Sequence, residues 1–262
     1  MYGLMGLKTH AKLSLIVRND GDGFRRYCHV GTGNYNPKTA RLYEDIGILS
    51  SDPVLCDDLS RLFNQLSGFV SHLDFQRLIV APKSLRTTLL EKIEREISNA
   101  KNGKNARIRL KLNSLLDEHF VAALYRASRA GVKVDVVVRS ICALKPDLPE
   151  LSENIQVRSI LGRFLEHSRI YQFHNDGEVE TWIGSADLMN RNLDRRIETL
   201  IRVEDVSHKE RINQLLELYN SEDIKRWQMS SNGEWIFIGS LDNGEFLIDI
   251  QEKLMEVSRV RR

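Results

Sequence analysis

Residues 10–17, HAKLSLIV, and residues 167–173, HSRIYQF, decide how this chain is read. Each opens on histidine, any residue, then lysine or arginine, and each continues as an apolar-rich run. Period-two alternation puts His10 and Lys12 on one face of a strand, and His167 and Arg169 on one face of another. Turn chemistry follows each run, NDGDG (19–23) and HNDGE (174–178), and then a returning strand, FRRYCHV (24–30) and VETWI (179–183). Each returning strand ends in a glycine-hydroxyl loop, GTGN (31–34) and GSAD (184–187). Asp45 stands 14 positions after Gly31, and Glu198 stands 14 after Gly184. The same unit therefore occurs twice, each copy with its own acid, and such self-similarity marks a repeated structural element.

Two such units facing each other bring two imidazoles and two cations into one cleft. That set suits a phosphoryl group. Cations hold the non-bridging oxygens, one imidazole attacks phosphorus, and the other handles the leaving group. The carboxylates Asp45 and Glu198 can take the Nδ1–H of each histidine and leave Nε2 free. The loop glycines serve as turn residues or let backbone amides approach phosphate.

Working outward, the chain has 262 residues, 42% apolar and 28% charged, ordinary for a globular protein of one large or two modest domains. A net charge of +2 gives no global basic field, which argues against nucleic acid as partner. Cys28, Cys56 and Cys142 are odd in number and widely spaced, so neither a disulfide framework nor a zinc site is expected. No apolar run is long enough for a bilayer, and MYGLMGLKTHAK carries no signal-peptide pattern. A cytoplasmic location is expected, with peripheral membrane attachment left open.

After the first unit, DDLSRLFNQLSGF predicts a helix capped by Asp57. Residues 71–83 read as a linker whose extended part ends at Pro82. A helix over 84–99 carries the stripe Leu89, Leu90, Ile93 and Ile97. Strand 106–113, a helix over 114–131 capped by Ser114, strand 132–138 and strand 155–160 then follow. A further helix spans 207–220, and a hairpin over 234–250 turns at Asp242-Asn243-Gly244. The expected class is α/β, a mixed sheet flanked by helices. Arg139 ends a buried strand, where open sheets hold ligands and where a guanidinium can grip phosphate oxygens. Lys111 and Asn113 end another strand and are expected at the same cleft. Arg195 and Arg196 either add positive potential there or form a solvated face. His29, His72, His119 and His208 are read as structural or exposed, and His174 as a turn residue.

The paired histidine-cation units with their glycine-hydroxyl loops resemble the phospholipase D-like superfamily. That superfamily's His-x-Lys-x4-Asp motif is incomplete, because its acid position holds Val17 in one unit and His174 in the other. The wording of HAKLSLIVR (10–18), RRYCHVGTGNYNPKTARLYEDIGILSSDP (25–53), VDVVVRSICALKP (134–146) and FLEHSRIYQF (164–173) resembles the bacterial polyphosphate kinase family. The resemblance implies reversible transfer of the ATP γ-phosphate to inorganic polyphosphate through a phosphohistidine. It makes His10 the phosphorylated nucleophile and His167 the acid/base at the nucleotide site. Tyr43 and Arg139 match positions that contact ATP. Beside the resemblance, Lys12, Arg169, Asp45 and Glu198 from the repeat, and Lys111 and Asn113 from their strand ends, are expected to contact phosphate or back the histidines. Magnesium accompanies ATP, with no metal ligand expected in this piece. Homo-oligomerisation is expected of the full-length enzyme.

A β-α-β stretch precedes His167, whereas nine residues precede His10. The chain is therefore read as a C-terminal piece, a truncated first half (1–75) and a fuller second half (76–262). Alone it is expected to bind ATP poorly. The rival readings are a phospholipase D-like phosphodiesterase, or a fragment inactive without upstream domains.

Overall fold

The computed structural model describes residues 6–68 and 74–260. Residues 1–5, and the linker stretch 69–73 with His72, lie outside the described residues. The first unit runs β1 (Lys8–Thr9), β2 (Lys12–Asn19), β3 (Phe24–Gly31), α1 (Pro37–Ala40), β4 (Tyr43–Glu44), β5 (Gly47–Ser50) and α2 (Pro53–Leu66). The second runs β6 (Leu78–Ala81), α3 (Leu85–Lys101), β7 (Arg107–Leu112), α4 (Glu118–Arg129), β8 (Lys133–Val138) and β9 (Ile155–Ser159). It continues through β10 (Leu165–Glu166), β11 (Ile170–Phe173), β12 (Glu180–Gly184), α5 (Asn190–Arg195), β13 (Arg196–Arg202) and α6 (Val206–Asn220). It ends in β14 (Arg226–Met229), β15 (Trp235–Ile238) and α7 (Ile250–Val260).

The main sheet has the order β1-β13-β12-β11-β7-β8-β9-β14-β15, with β6 also on β13. Its β7, β8 and β9 are parallel, and β11 and β12 join antiparallel, so the sheet is mixed as expected. Both faces of the sheet are covered: β11 and β12 are buried throughout, and β7 turns Ile108, Leu110 and Leu112 to one face and Arg107, Arg109 and Lys111 to the other. Tyr171, Phe173, Trp182 and Leu200 face the core under α3 and α4. Ile170, Ile183, Ile197 and Ile201 face the opposite way, into a core shared with Val30 of β3 and Leu59 and Leu62 of α2. The small sheet β2-β3-β5 of the first unit thus packs on the second unit through common apolar residues.

Both Asn-Asp-Gly turns form. Gly21 takes φ +88°, and Asn175, Asp176 and Gly177 all have positive φ, the region these residues tolerate. Several boundaries differ from the sequence reading. Helix α2 starts at Pro53, and its cap is Asp52, whose carboxylate accepts from Leu55 N at 2.8 Å. Asp57 instead pairs with Arg61 one turn on. Asp117, not Ser114, caps α4 by accepting from His119 N and Phe120 N. Residues 78–81, read within a linker, form the buried strand β6 on β13. The C-terminal hairpin is β14–β15, one hairpin earlier than expected; the turn at 242–244 closes only an isolated bridge between Ser240 and Phe246.

Candidate active site

Two short parallel strand pairs build the site. Strand β1, just before His10, pairs with the start of β13, Thr9 opposite Ile197. The N–H groups of His10 and Ala11 both donate to Ile197 O, at 2.9 and 3.0 Å. Strand β10, just before His167, pairs with β4, Glu166 opposite Glu44, and His167 N donates to Glu44 O at 3.1 Å. Ile197 directly precedes Glu198, and Glu44 directly precedes Asp45. Each histidine is therefore set beside the acid of the other unit.

The side chains follow that register. His10 Nδ1 lies 2.9 Å from Glu198 Oε2, and His167 Nδ1 lies 2.7 Å from Asp45 Oδ1. The sequence places one acid in each unit, and the fold exchanges them. A carboxylate only accepts, so each Nδ1 carries the hydrogen and each Nε2 keeps a lone pair. The loop hydroxyls orient the acids identically. Thr32 Oγ1 donates to Asp45 at 2.7 Å and accepts from Ile46 N at 3.0 Å. Ser185 Oγ donates to Glu198 and accepts from Thr199 N at 3.1 Å. Sequence reasoning gave the loop glycines the leading role and missed these hydroxyls, although their shared position after Gly31 and Gly184 was the available signal. The glycines matter through close approach. A Cβ on Gly33 would lie 2.6 Å from the Asp45 carboxylate, and one on Gly184 would lie 1.9 Å from Thr199 O.

Lys12 donates to His10 Nε2 at 2.9 Å. Burial lowers its pKa to about 8, with Arg169 and Arg196 pushing the same way against Glu198 and Asp45. Lys12 also acts on His167 electrostatically. Burial holds His167 below the ordinary histidine value, and Arg169 and Lys12 add to that, opposed by Asp45. Its resting form at neutral pH is the uncharged ring.

The remaining expected residues divide. Tyr43 stacks obliquely on His167, ring centres 5.0 Å apart. Arg139 is half-buried and donates to Glu166 O at 2.9 Å. Arg169 is tied to Asp187 at 3.0 Å and to His167 O at 2.7 Å, so it braces the site where Lys12 faces into it. Asn113 braces the same acid: its N–H donates to Asp187 at 2.7 Å. Lys111, only 2% exposed, sits beneath the cleft against Glu44, Glu166 and Ser168. Asp187 closes the GSAD loop of the repeat but was given no role there, and Glu44, Glu166 and Ser168 were not singled out in the sequence. Glu44, Glu166 and Ser168 each adjoin a motif residue in the chain, and that adjacency was the available signal. His29 bonds Tyr35 at 2.7 Å, apart from both pairs.

Comparison with known proteins matches residues 1–72 to the model "Polyphosphate kinase C-terminal domain 1" and residues 78–246 to "Polyphosphate kinase C-terminal domain 2". Polyphosphate kinase of Streptomyces coelicolor is 56% identical over all of this chain, and that of Mycobacterium avium is 51% identical over 99% of it. The chain spans about a third of those relatives, 35% of each. The crystal structure of polyphosphate kinase from Porphyromonas gingivalis superposes with a TM-score of 0.90 at 37% identity, covering 98% of this chain and 40% of that one.

Proposed function

The chain belongs to the polyphosphate kinase family, and we propose that it carries the phosphoryl-transfer centre of an ATP–polyphosphate phosphotransferase. The observation that carries this reading is the crossed pair of histidine–acid contacts, with Lys12 on His10 Nε2. We take residues 1–75 and 76–262 as its two working units.

In the proposed reaction, Lys12 swings from Nε2 to the γ-phosphoryl oxygens, and Nε2 attacks γ-phosphorus. The bond from phosphorus to the bridging oxygen breaks, and ADP leaves with that electron pair. Glu198 keeps Nδ1–H in place and stabilises the positive ring of the N-phosphoryl intermediate. A terminal oxygen of polyphosphate then attacks the same phosphorus. The phosphorus–nitrogen bond breaks, and the chain grows by one unit; reversal makes ATP. His167, uncharged at rest, serves as acid/base beside the nucleotide phosphates. Tyr43 and Arg139 hold the nucleotide from the His167 side.

Magnesium enters the proposal with the nucleotide. Among the described residues no group of three or more His, Cys, Asp or Glu side chains is placed to hold a metal ion. The residues here do not fit a resident metal. No helix among the described residues is long and apolar enough to cross a membrane. A cytoplasmic setting, with its reducing conditions, suits the free thiols Cys28, Cys56 and Cys142. Homo-oligomerisation of the longer protein is part of the same proposal.

The test is incubation with γ-labelled ATP and magnesium. Acid-labile, alkali-stable label on His10, absent in His10→Ala and discharged by added polyphosphate, is the expected result. Label that never reaches His10, or that survives acid, sinks the reading.

A further inference from the structure

The two histidine–acid pairs match in their own geometry and differ in what stands beneath them. Thr9 and Ala11 flank His10, and Ile197 precedes its acid. At the three matching positions around His167 stand Glu166, Ser168 and Glu44. Lys111 of β7 closes that second set, 2.9 Å from Glu44, 2.8 Å from Glu166 and 2.7 Å from Ser168. Tyr219 of α6 donates to Glu166 at 2.6 Å, and Gln251 of α7 donates to the same carboxylate at 2.8 Å. Glu44 and Glu166 outweigh burial and hold the Lys111 ammonium above the ordinary lysine value. Strands from both units and two helices thus meet at one buried ammonium, whose partners Glu166, Ser168 and Glu44 adjoin His167 and Asp45 in the chain.

Charge separates the two sides. Lys111, Glu44 and Glu166 sum to −1. Asp45, Asp187, Arg169 and Arg139 nearby cancel, and Lys12, which acts on both rings, brings the His167 side to zero. Around His10, Lys12 and Arg196 against Glu198 leave +1. The His167 side is thus one charge less positive than the His10 side, and a less positive setting favours a proton on the ring and attracts a phosphoryl group less.

We infer that Lys111, with Glu44 and Glu166, is a positioning centre that sets His167 apart from its twin, fixing the His167–Asp45 pair and reserving that ring for protons while His10 takes phosphoryl. The phosphoryl half of this inference rests on the function proposed above; the proton half does not.

The test is titration of the His10 and His167 ring protons by NMR in this full chain, assigned with His10→Gln and His167→Gln. Glu44→Gln and Glu166→Gln are isosteric and each remove one negative charge. The paired change Lys111→Met/Glu166→Gln removes an ion pair and keeps the net −1. The single variants are expected to move the His167 midpoint down by roughly half a unit to one unit, and His10 by far less. The paired variant is expected to stay near wild type. An unmoved His167, or equal movement of both rings, overturns the inference. With γ-labelled ATP, Glu166→Gln is expected to let acid-labile label onto His167 as well as His10. Label confined to His10 in both single variants overturns the phosphoryl half. If the wild-type chain takes no label at all, the phosphohistidine reading fails, and the ring titrations still judge the charge centre.

Discussion

Lys12 is 5% exposed and faces Arg169 and Arg196 as well as its acids, so its pKa falls from 10.5 to about 8. Bound phosphate favours the ammonium, so affinity belongs below pH 8 and declines above it. Tripolyphosphate binding is expected to weaken roughly tenfold from pH 7.5 to 9.5, and a flat profile argues against Lys12 as the phosphate cation. The same shift has a stability sign. The folded state disfavours charged Lys12, fully below pH 8, and this penalty vanishes between 8 and 10.5. Lys12→Met is therefore expected to gain on the order of 1–3 kcal/mol at pH 7 and nothing above pH 10.5, read from denaturant melts at both pH values. The exchanged acids give a second outcome. Glu198→Gln is expected to slow His10 labelling about 10- to 100-fold with little change in Tm. Asp45→Asn lies in the same unit as His10 yet is expected to leave that labelling closer to wild type. The reverse ranking contradicts the crossed pairing.

At the scale of elements, caps and register carry the argument. Asp52 closes the start of α2, with Pro53 preset for the first helical position. Asp52→Ala is expected to lower stability by about 1 kcal/mol, and Asp57→Ala, which loses only an exposed ion pair, by under about 0.5 kcal/mol. Chemical melts of the two variants decide between the caps. The apolar stripe over 84–99 and the valines of 132–138 declared their elements directly, because period and apolarity are local properties. Strand β6 was not legible as a strand. Leu78-Ile-Val-Ala81 is too short to tell a strand from an extended linker, and its antiparallel partner β13 lies more than a hundred residues on.

The whole molecule is joined by the core that α2 and β3 share with the main sheet and α6. Leu59 of α2 is fully buried there. All three tryptophans, Trp182, Trp227 and Trp235, lie in the second unit. Leu59→Ala is expected to cost about 2–5 kcal/mol, and the loss is expected in the tryptophan fluorescence melt as one shifted transition. Two separate transitions, with tryptophan unmoved, would show that the units fold apart.

Sequence alone determined the duplicated unit: His10 and Lys12 on one strand face, His167 and Arg169 on another, paired turns, and acids at equal offset. Strand period and turn chemistry act over a few residues, so one-dimensional reading reaches them. Tertiary structure alone decided which acid serves which histidine. That choice is made by the parallel register of Thr9 on Ile197 and Glu166 on Glu44, backbone hydrogen bonds between residues more than a hundred positions apart. It also decided that Lys111 lies beneath the site rather than in it. A strand-end lysine reads alike in either place until its neighbours are known, and here two carboxylates from different units fix it in the interior.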